Sequence, residues 1–328
     1  MTNLGQLRAE APAYEDPASS APIPIREITG ETKIGGEDIS LTYRAPSNPA
    51  DTTDPTLLLI IHGWGGPELA YSELGAEAAR RGKPSLTYGE GRSLGLVGDL
   101  NPLNLLRVAQ LSSKAAWAAM RYAREEFGHD ESDLYGHSWG GQTAVNVALH
   151  KPEHVRGVIL DGSCGLDEHS LPTMIGRTGQ FARDELLPAL GSLARKPGPR
   201  VGAQALHYVW RHPGRTLAEG LNAGSTNLHA RIRRLGSRGI WVSAIQSPSD
   251  TYFKLEEVRR DSQHLFGEHF HVRDDPDSNH LAPQLDPEGT ADLIMSALLL
   301  RLNGRDLEPA TDTSLSLIVD TESLATAV

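Results

Sequence analysis

The sequence predicts an α/β fold: a doubly wound, mostly parallel sheet interrupted by a helical insertion. Three observations predict it. Residues 56–61 (TLLLII) form a continuous apolar run of strand length, as expected of a strand buried on both faces of a parallel sheet. Helix and strand patterns then alternate through residues 69–81, 83–88, 104–127, 131–135, 143–150 and 155–161. Such alternation builds βαβ units and places a ligand crevice at the carboxyl ends of the strands. Finally, the alternation breaks near Gly165 and resumes at Ile240, with a mostly helical stretch between.

The elements follow in order. Residues 1–24 are rich in Ala, Pro, Ser and acids, the composition of a flexible lead-in. Two short patterns flank Gly35-Gly36 and predict an antiparallel hairpin over residues 25–44. The first part of the core runs over 25–164, the helical insertion over 165–238, and the second part of the core over 239–303. That second part holds a strand at 240–245 ending in Gln246-Ser247-Pro248-Ser249-Asp250, a short strand at 270–272, and a polar loop at 277–283. A closing helix spans 287–302, and residues 304–328 form a polar tail in which Ser314 to Asp320 has strand-like character.

Composition excludes several classes. The 328 residues carry a formal net charge of −11, which disfavours nucleic-acid binding because neutralising phosphates needs cationic surface. No apolar run reaches the ~18–20 residues that cross a bilayer, so no membrane partner is expected. The N-terminal stretch lacks the basic and apolar regions of a secretory signal, and a cytoplasmic location is expected. The single cysteine, Cys164, excludes an intramolecular disulfide and any cysteine-cluster metal site; it reads as a small buried residue.

The chemistry centres on Tyr135-Gly136-His137-Ser138-Trp139-Gly140-Gly141-Gln142. G-x-S-x-G occurs by chance in many Gly/Ser-rich loops, but here a strand pattern precedes it and a helix pattern follows. A nucleophilic serine must stand clear of its backbone on a sharp strand-to-helix turn, and small residues two positions either side leave room for it. The stretch resembles the nucleophile elbow of the α/β-hydrolase superfamily. His62-Gly63-Trp64-Gly65-Gly66, at the end of the apolar strand, resembles that superfamily's oxyanion loop, although a plain glycine-rich turn would read the same. The resemblance implies the backbone N–H groups of Trp64 and Trp139 as oxyanion donors and an activated Ser138. His62 reads as structural. Residues 88–93 resemble the family's D-x-x-G-x-G-x-S loop only loosely, the aspartate being replaced.

A serine hydroxyl needs a base, and the base needs a carboxylate to orient it. His280 follows the last strand pattern in a small polar loop, and Asn279-His280-Leu281-Ala282-Pro283 with Pro287-Glu288 resembles the family's histidine loop. Asp250 is the expected acid for the third role, with Asp161 as the alternative. Asp250 ends the strand at 240–245 and gives the order Ser138, Asp250, His280 of the superfamily. Asp161 ends the strand before the insertion, where some members carry their acid. The insertion resembles the family's helical cap. Between Arg177 and Arg238 it bears eleven basic residues against Asp184, Glu185 and Glu219. That imbalance suits either a solvated arginine-rich surface or the steering of an anionic substrate. Phe181, Tyr208, Trp210 and Met174 suit an acyl pocket or ordinary core packing.

The resemblance implies a serine hydrolase acting on a carboxylic ester, lactone or thioester of a small or medium-sized molecule, with no organic cofactor and no metal. The serine at the elbow excludes the haloalkane dehalogenases and epoxide hydrolases, which use aspartate there. Non-hydrolytic use of the same triad, as a lyase, perhydrolase or acyl transferase, and a catalytically silent ligand-binding protein are the other readings.

Overall fold

The computed structural model describes residues 23–34, 37–63, 68–89, 102–168, 171–188 and 213–303. In chain order these hold β1 (Ile25–Ile34), β2 (Glu37–Pro46), β3 (Leu57–Ile61), α1 (Ser72–Arg80), β4 (Ser85–Tyr88), α2 (Pro102–Phe127), β5 (Ser132–His137), α3 (Trp139–His150) and β6 (Val155–Asp161). The insertion follows as α4 (Leu171–Phe181), which continues into a π-helical turn at Ala182–Leu186, then α5 (Pro213–Gly224) and α6 (His229–Gly236). The core closes with β7 (Trp241–Gln246), α7 (Leu255–Phe266), β8 (Phe270–Val272), α8 (Ala282–Leu285) and α9 (Pro287–Asn303).

The strands form one sheet in the order β1-β2-β4-β3-β5-β6-β7-β8. The hairpin β1–β2 is antiparallel, β2 joins β4 antiparallel, and all later pairings are parallel. The period of two along each strand sorts side chains onto opposite faces. Leu57, Leu59 and Ile61 of β3 join Leu134, Val158 and Leu160 in the cluster that holds Ala115, Ala119 and Met120 of α2 and Val145 of α3. Leu58 and Ile60 join Tyr135, Ile159 and Ile245 against Leu74 and Ala78 of α1 and Ile294 and Leu298 of α9. A strand that is apolar at every position is thus explained by two helical layers, each such side chain contributing roughly 1.5–3 kcal/mol on leaving water.

The two ends of the sheet differ. At the amino ends, the fully buried Asp133 of β5 accepts from Lys83 Nζ (2.8 Å), Arg156 Nη2 (2.6 Å) and Arg301 Nη1 (2.6 Å), and Asp54 adds a second carboxylate to Lys83 (2.7 Å). The carboxyl ends carry the elbow and the loops after β3, β6, β7 and β8. Two helices, α7 and the single turn α8, have no counterpart in the sequence reading; α7 is the longer. Its buried Val258, Ser262 and Phe266 recur at helical spacing, but one of the three is polar, and Arg259, Arg260 and Asp261 interrupt the apolar pattern. Among the described residues no helix is long and apolar enough to cross a membrane.

Candidate active site

β5 runs directly into α3, leaving Ser138 alone on the turn. Its φ of 55° and ψ of −124° make it the one non-glycine residue with positive φ among the described residues, a strain of about 1–3 kcal/mol. The turn is held from several sides: the Ser138 N–H donates to the Asp161 carbonyl (2.9 Å), and the Ser138 carbonyl accepts from the Gly141 N–H (3.1 Å) and the Cys164 N–H (3.3 Å). A Cβ on Gly136 would lie 2.6 Å from the Gly140 carbonyl oxygen, and one on Gly140 would lie 2.4 Å from that of Ile61 and 2.5 Å from that of His62. Close backbone approach is therefore what the glycines provide. Gly140→Ala is expected to lower stability by roughly 1–3 kcal/mol or more, because the contacted atoms are backbone. A melting temperature equal to that of wild type would show that the turn has room.

Three side chains from three loops converge here. His280 Nε2 is 2.9 Å from Ser138 Oγ, and His280 Nδ1 is 2.9 Å from Asp250 Oδ2. Asp250 is fixed in turn: its Oδ1 accepts the N–H groups of Tyr252 (2.8 Å) and Phe253 (2.9 Å), and its Oδ2 accepts Gln246 Nε2 (3.3 Å). Burial pulls the His280 pKa down, but the charge and hydrogen bond of Asp250, then the charges of Glu185 and Asp161, outweigh it and leave the pKa raised. The rings of Tyr252, Phe253 and Phe181 pack around the imidazole with centroids 5.3, 5.4 and 5.7 Å away.

Asp161 lies elsewhere. Its Oδ2 accepts the Tyr135 hydroxyl (2.6 Å) and Arg273 Nη2, a buried pair beneath the turn. Trp139 is the first residue of α3, where an N–H has no partner within the helix. Trp64 lies outside the described residues, but Gly63 just before it packs against the nucleophile, its notional Cβ 3.0 Å from Ser138 Cβ. His62 Nδ1 contacts the Gly63 carbonyl oxygen at 3.2 Å. Cys164 is fully buried, which pushes its thiol up to about 12, so it holds no thiolate near the site.

Residues that the sequence reading passed over complete the surroundings. His137, next to the nucleophile, is held well below the ordinary imidazole range by burial and then by the charge of His280. Neutral, it donates from Nε2 to the His280 carbonyl (2.8 Å) and accepts the Tyr71 hydroxyl at Nδ1 (2.6 Å); the Tyr71 oxygen accepts the Gly63 N–H (3.1 Å). One chain of hydrogen bonds thus ties the end of β3, the elbow and the histidine loop together. Gly162, at φ +48°, backs the pair, and a Cβ there would lie 3.1 Å from Asp250 Oδ2. From the insertion, Glu185 reaches the backbone of His280 and Thr251.

The basic residues of the insertion have mixed surroundings. Arg177 is buried and bound by Asp167 (3.1 Å), Glu257 (2.6 Å) and the Tyr252 carbonyl (2.7 Å). Arg231 donates to Asn146 (3.1 Å), Arg238 to the Leu149 carbonyl (2.7 Å), and Arg183 pairs with Asp184 at the surface. Arg195, Lys196, Arg200, Arg211, Tyr208 and Trp210 lie outside the described residues, as do residues 90–93 and the tail segment at 314–320. Among the described residues no group of three or more His, Cys, Asp or Glu could hold a metal ion.

A sequence model described as the alpha/beta hydrolase family matches residues 58–293. The fold is similar to that of a hydrolase from Pseudomonas aeruginosa PA01, at 14% identity over 82% of this chain and 98% of that one, with a TM-score of 0.56. It is similar to a thermophilic esterase from Thermogutta terrifontis, at 17% identity over 84% and 98% of the two chains (TM-score 0.54). It is also similar to E-2-(acetamidomethylene)succinate hydrolase, at 14% identity over 83% and 99% (TM-score 0.58). No curated protein sequence matches the chain.

Proposed function

Because the chain belongs to the alpha/beta hydrolase family, we propose that it is a serine hydrolase that cleaves a carboxylic ester, lactone or thioester of a small or medium-sized molecule through an acyl-enzyme on Ser138. The observation that carries this reading is the unbroken line Ser138 Oγ–His280–Asp250, with 2.9 Å at both links, built on a strained serine.

In this mechanism Ser138 Oγ attacks the acyl carbonyl carbon while His280 Nε2 takes its proton. Asp250 keeps the other ring proton on Nδ1 and stabilises the imidazolium. The oxyanion is held by the N–H of Trp139, at the amino end of α3, and that of Trp64, the residue after Gly63 in sequence; one such donor is typically worth about 2.7–4 kcal/mol in the transition state. The imidazolium protonates the departing alcohol or thiol. Water, deprotonated by the same His280, then attacks the acyl-enzyme and releases the carboxylic acid.

The test is intact-mass analysis after treatment with a fluorophosphonate. Wild type is expected to gain one adduct and Ser138→Ala none, with the variant's stability nearly unchanged. Folded wild type without an adduct would remove the proposal. The pH profile offers a second check. His280 must be neutral to act as a base, and its pKa is raised, so kcat/KM is expected to fall on the acid side of a point above the ordinary imidazole value. A profile flat through that region would oppose the assignment.

A further inference from the structure

The helix α4 lies on the triad along one stripe. Arg177, Phe181 and Glu185 are spaced four residues apart, so they share a helix face. Arg177 Nη1 binds the Tyr252 carbonyl at 2.7 Å, in the turn that follows Asp250. Phe181 stands perpendicular to the His280 ring, the planes at 88°, and packs on Tyr252 with centroids 4.7 Å apart. At the π-helical turn, Glu185 divides its carboxylate between two loops. Oε2 accepts the His280 N–H at 2.7 Å, and Oε1 accepts both the N–H (2.8 Å) and the hydroxyl of Thr251. The insertion touches the elbow as well, since Trp139 Nε1 donates to Asn222 of α5 at 3.2 Å.

Glu185 is therefore a buried carboxylate, 2% exposed, bound through backbone N–H groups of both loops that must stay in register for the His280–Asp250 bond to form. The acid turn and the histidine loop also meet through Ser249 and Ser278, but there only by one backbone bond and bonds of hydroxyls. A carboxylate suits the position because both of its oxygens accept; an amide would turn an N–H against one of two backbone N–H groups, whichever way it faced. The π-turn has a reason on this view, since it lets a helix side chain reach two loops at a functional site.

We propose that Glu185 is a positioning residue of the insertion, which clamps the His280 and Asp250 loops together so that a helix outside the α/β core sets the geometry of the triad. The inference rests on the proposed hydrolytic function. Glu185 also adds negative charge beside the imidazole, as do Asp250 and Asp161; the neutral ring of His137 packs 4.8 Å from it, and Arg273 pairs with Asp161. Two consequences follow. Loss of the clamp loosens the chemistry without altering substrate binding, and loss of the charge lowers the proton affinity of His280.

The experiment compares wild type, Ser138→Ala, Glu185→Gln and Thr251→Val, all full length, by the rate of fluorophosphonate labelling and by kcat, KM and the pH profile of p-nitrophenyl acetate hydrolysis. Glu185→Gln fills the same volume. It is expected to lower kcat and the labelling rate about 10- to 100-fold with KM little changed, the scale of a slightly misplaced catalytic group. The acid limb of its kcat/KM profile is expected to move to lower pH. Labelling and an acid limb identical to wild type would overturn the inference and leave the proposed function standing. So would a fall in kcat with the acid limb unmoved, which marks a merely loosened structure. Wild type that is never labelled would overturn the function and this inference with it. If Glu185→Gln does not fold, Thr251→Val carries the test: it removes only the hydroxyl donor and is expected to lower kcat in the same sense by less, and an unchanged kcat overturns the clamp.

Discussion

Asp133→Ala is expected to destabilise the protein by roughly 3–5 kcal/mol, the range for removing one partner from a buried ion cluster. The carboxylate is fully buried and bound by Lys83, Arg156 and Arg301, with Lys83 itself fully buried. Without it, three cations at the amino ends of β4, β5 and β6 share only Asp54. The cluster also sets an acid limit. Burial pushes the Asp133 carboxyl up, but the Lys83 charge, the Arg156 hydrogen bond and the Arg301 charge overcome it and hold the pKa below the ordinary carboxylate range. Asp54 is depressed in the same way by Lys83 and Arg156 against its own burial. A depressed folded-state pKa contributes stability that is fully present above the unfolded value, about 3.9, and is lost as pH falls toward the folded one. Urea midpoints at neutral pH and down to about pH 3 check this: wild type should lose stability steeply below about pH 4, and the variant less steeply from a lower start. A variant within about 0.5 kcal/mol of wild type at neutral pH would mean that water reaches the cluster.

Much of this architecture is legible in the chain because its signals are local. The apolar run of β3, the glycine spacing around Ser138 and the histidine after the last strand each lie within a few residues. Each reflects a constraint that one segment satisfies by itself: burial on both faces, room for a strained turn, a polar loop before a closing helix. What was not legible depends on partners far away in sequence. Tyr71 meets His137 across 66 residues, and Glu185 meets His280 across 95. Glu185 did leave a trace, as one of three acids in a stretch with eleven basic residues, but nothing local says that its carboxylate points inward. His137 stands inside the motif, but neighbours in a strand face opposite ways, so adjacency to the nucleophile predicts no contact with it.

The competition between Asp250 and Asp161 shows the limit most clearly, and it leads to the other large expected effect. Asp161 ends β6 and Asp250 lies in the turn that follows β7, so both stand at the carboxyl ends of neighbouring parallel strands, and only the order along the chain favours Asp250. Arg273, 112 residues beyond Asp161, breaks the tie by pairing with Asp161 and leaving the Nδ1 side of His280 to Asp250. Asp250→Asn is therefore expected to lower kcat/KM by roughly 10⁴-fold, the effect of a wrong histidine tautomer. The direction follows from the hydrogen bonds. The Oδ1 position faces the N–H groups of Tyr252 and Phe253, so the amide oxygen must sit there and the NH₂ must replace Oδ2. That NH₂ faces His280 Nδ1, which can then only accept; the ring proton moves to Nε2, and Ser138 loses its base. Stability should change little, since the two backbone bonds persist and Gln246 Nε2, which loses its long bond to Oδ2, keeps the Phe253 carbonyl. Asp161→Asn should do the reverse. It leaves Arg273 buried without its counter-charge, so the melting temperature should fall clearly while kcat falls far less than in Asp250→Asn. Measuring both variants by kcat/KM and thermal denaturation decides between the carboxylates, and the opposite ranking would assign the acid to Asp161.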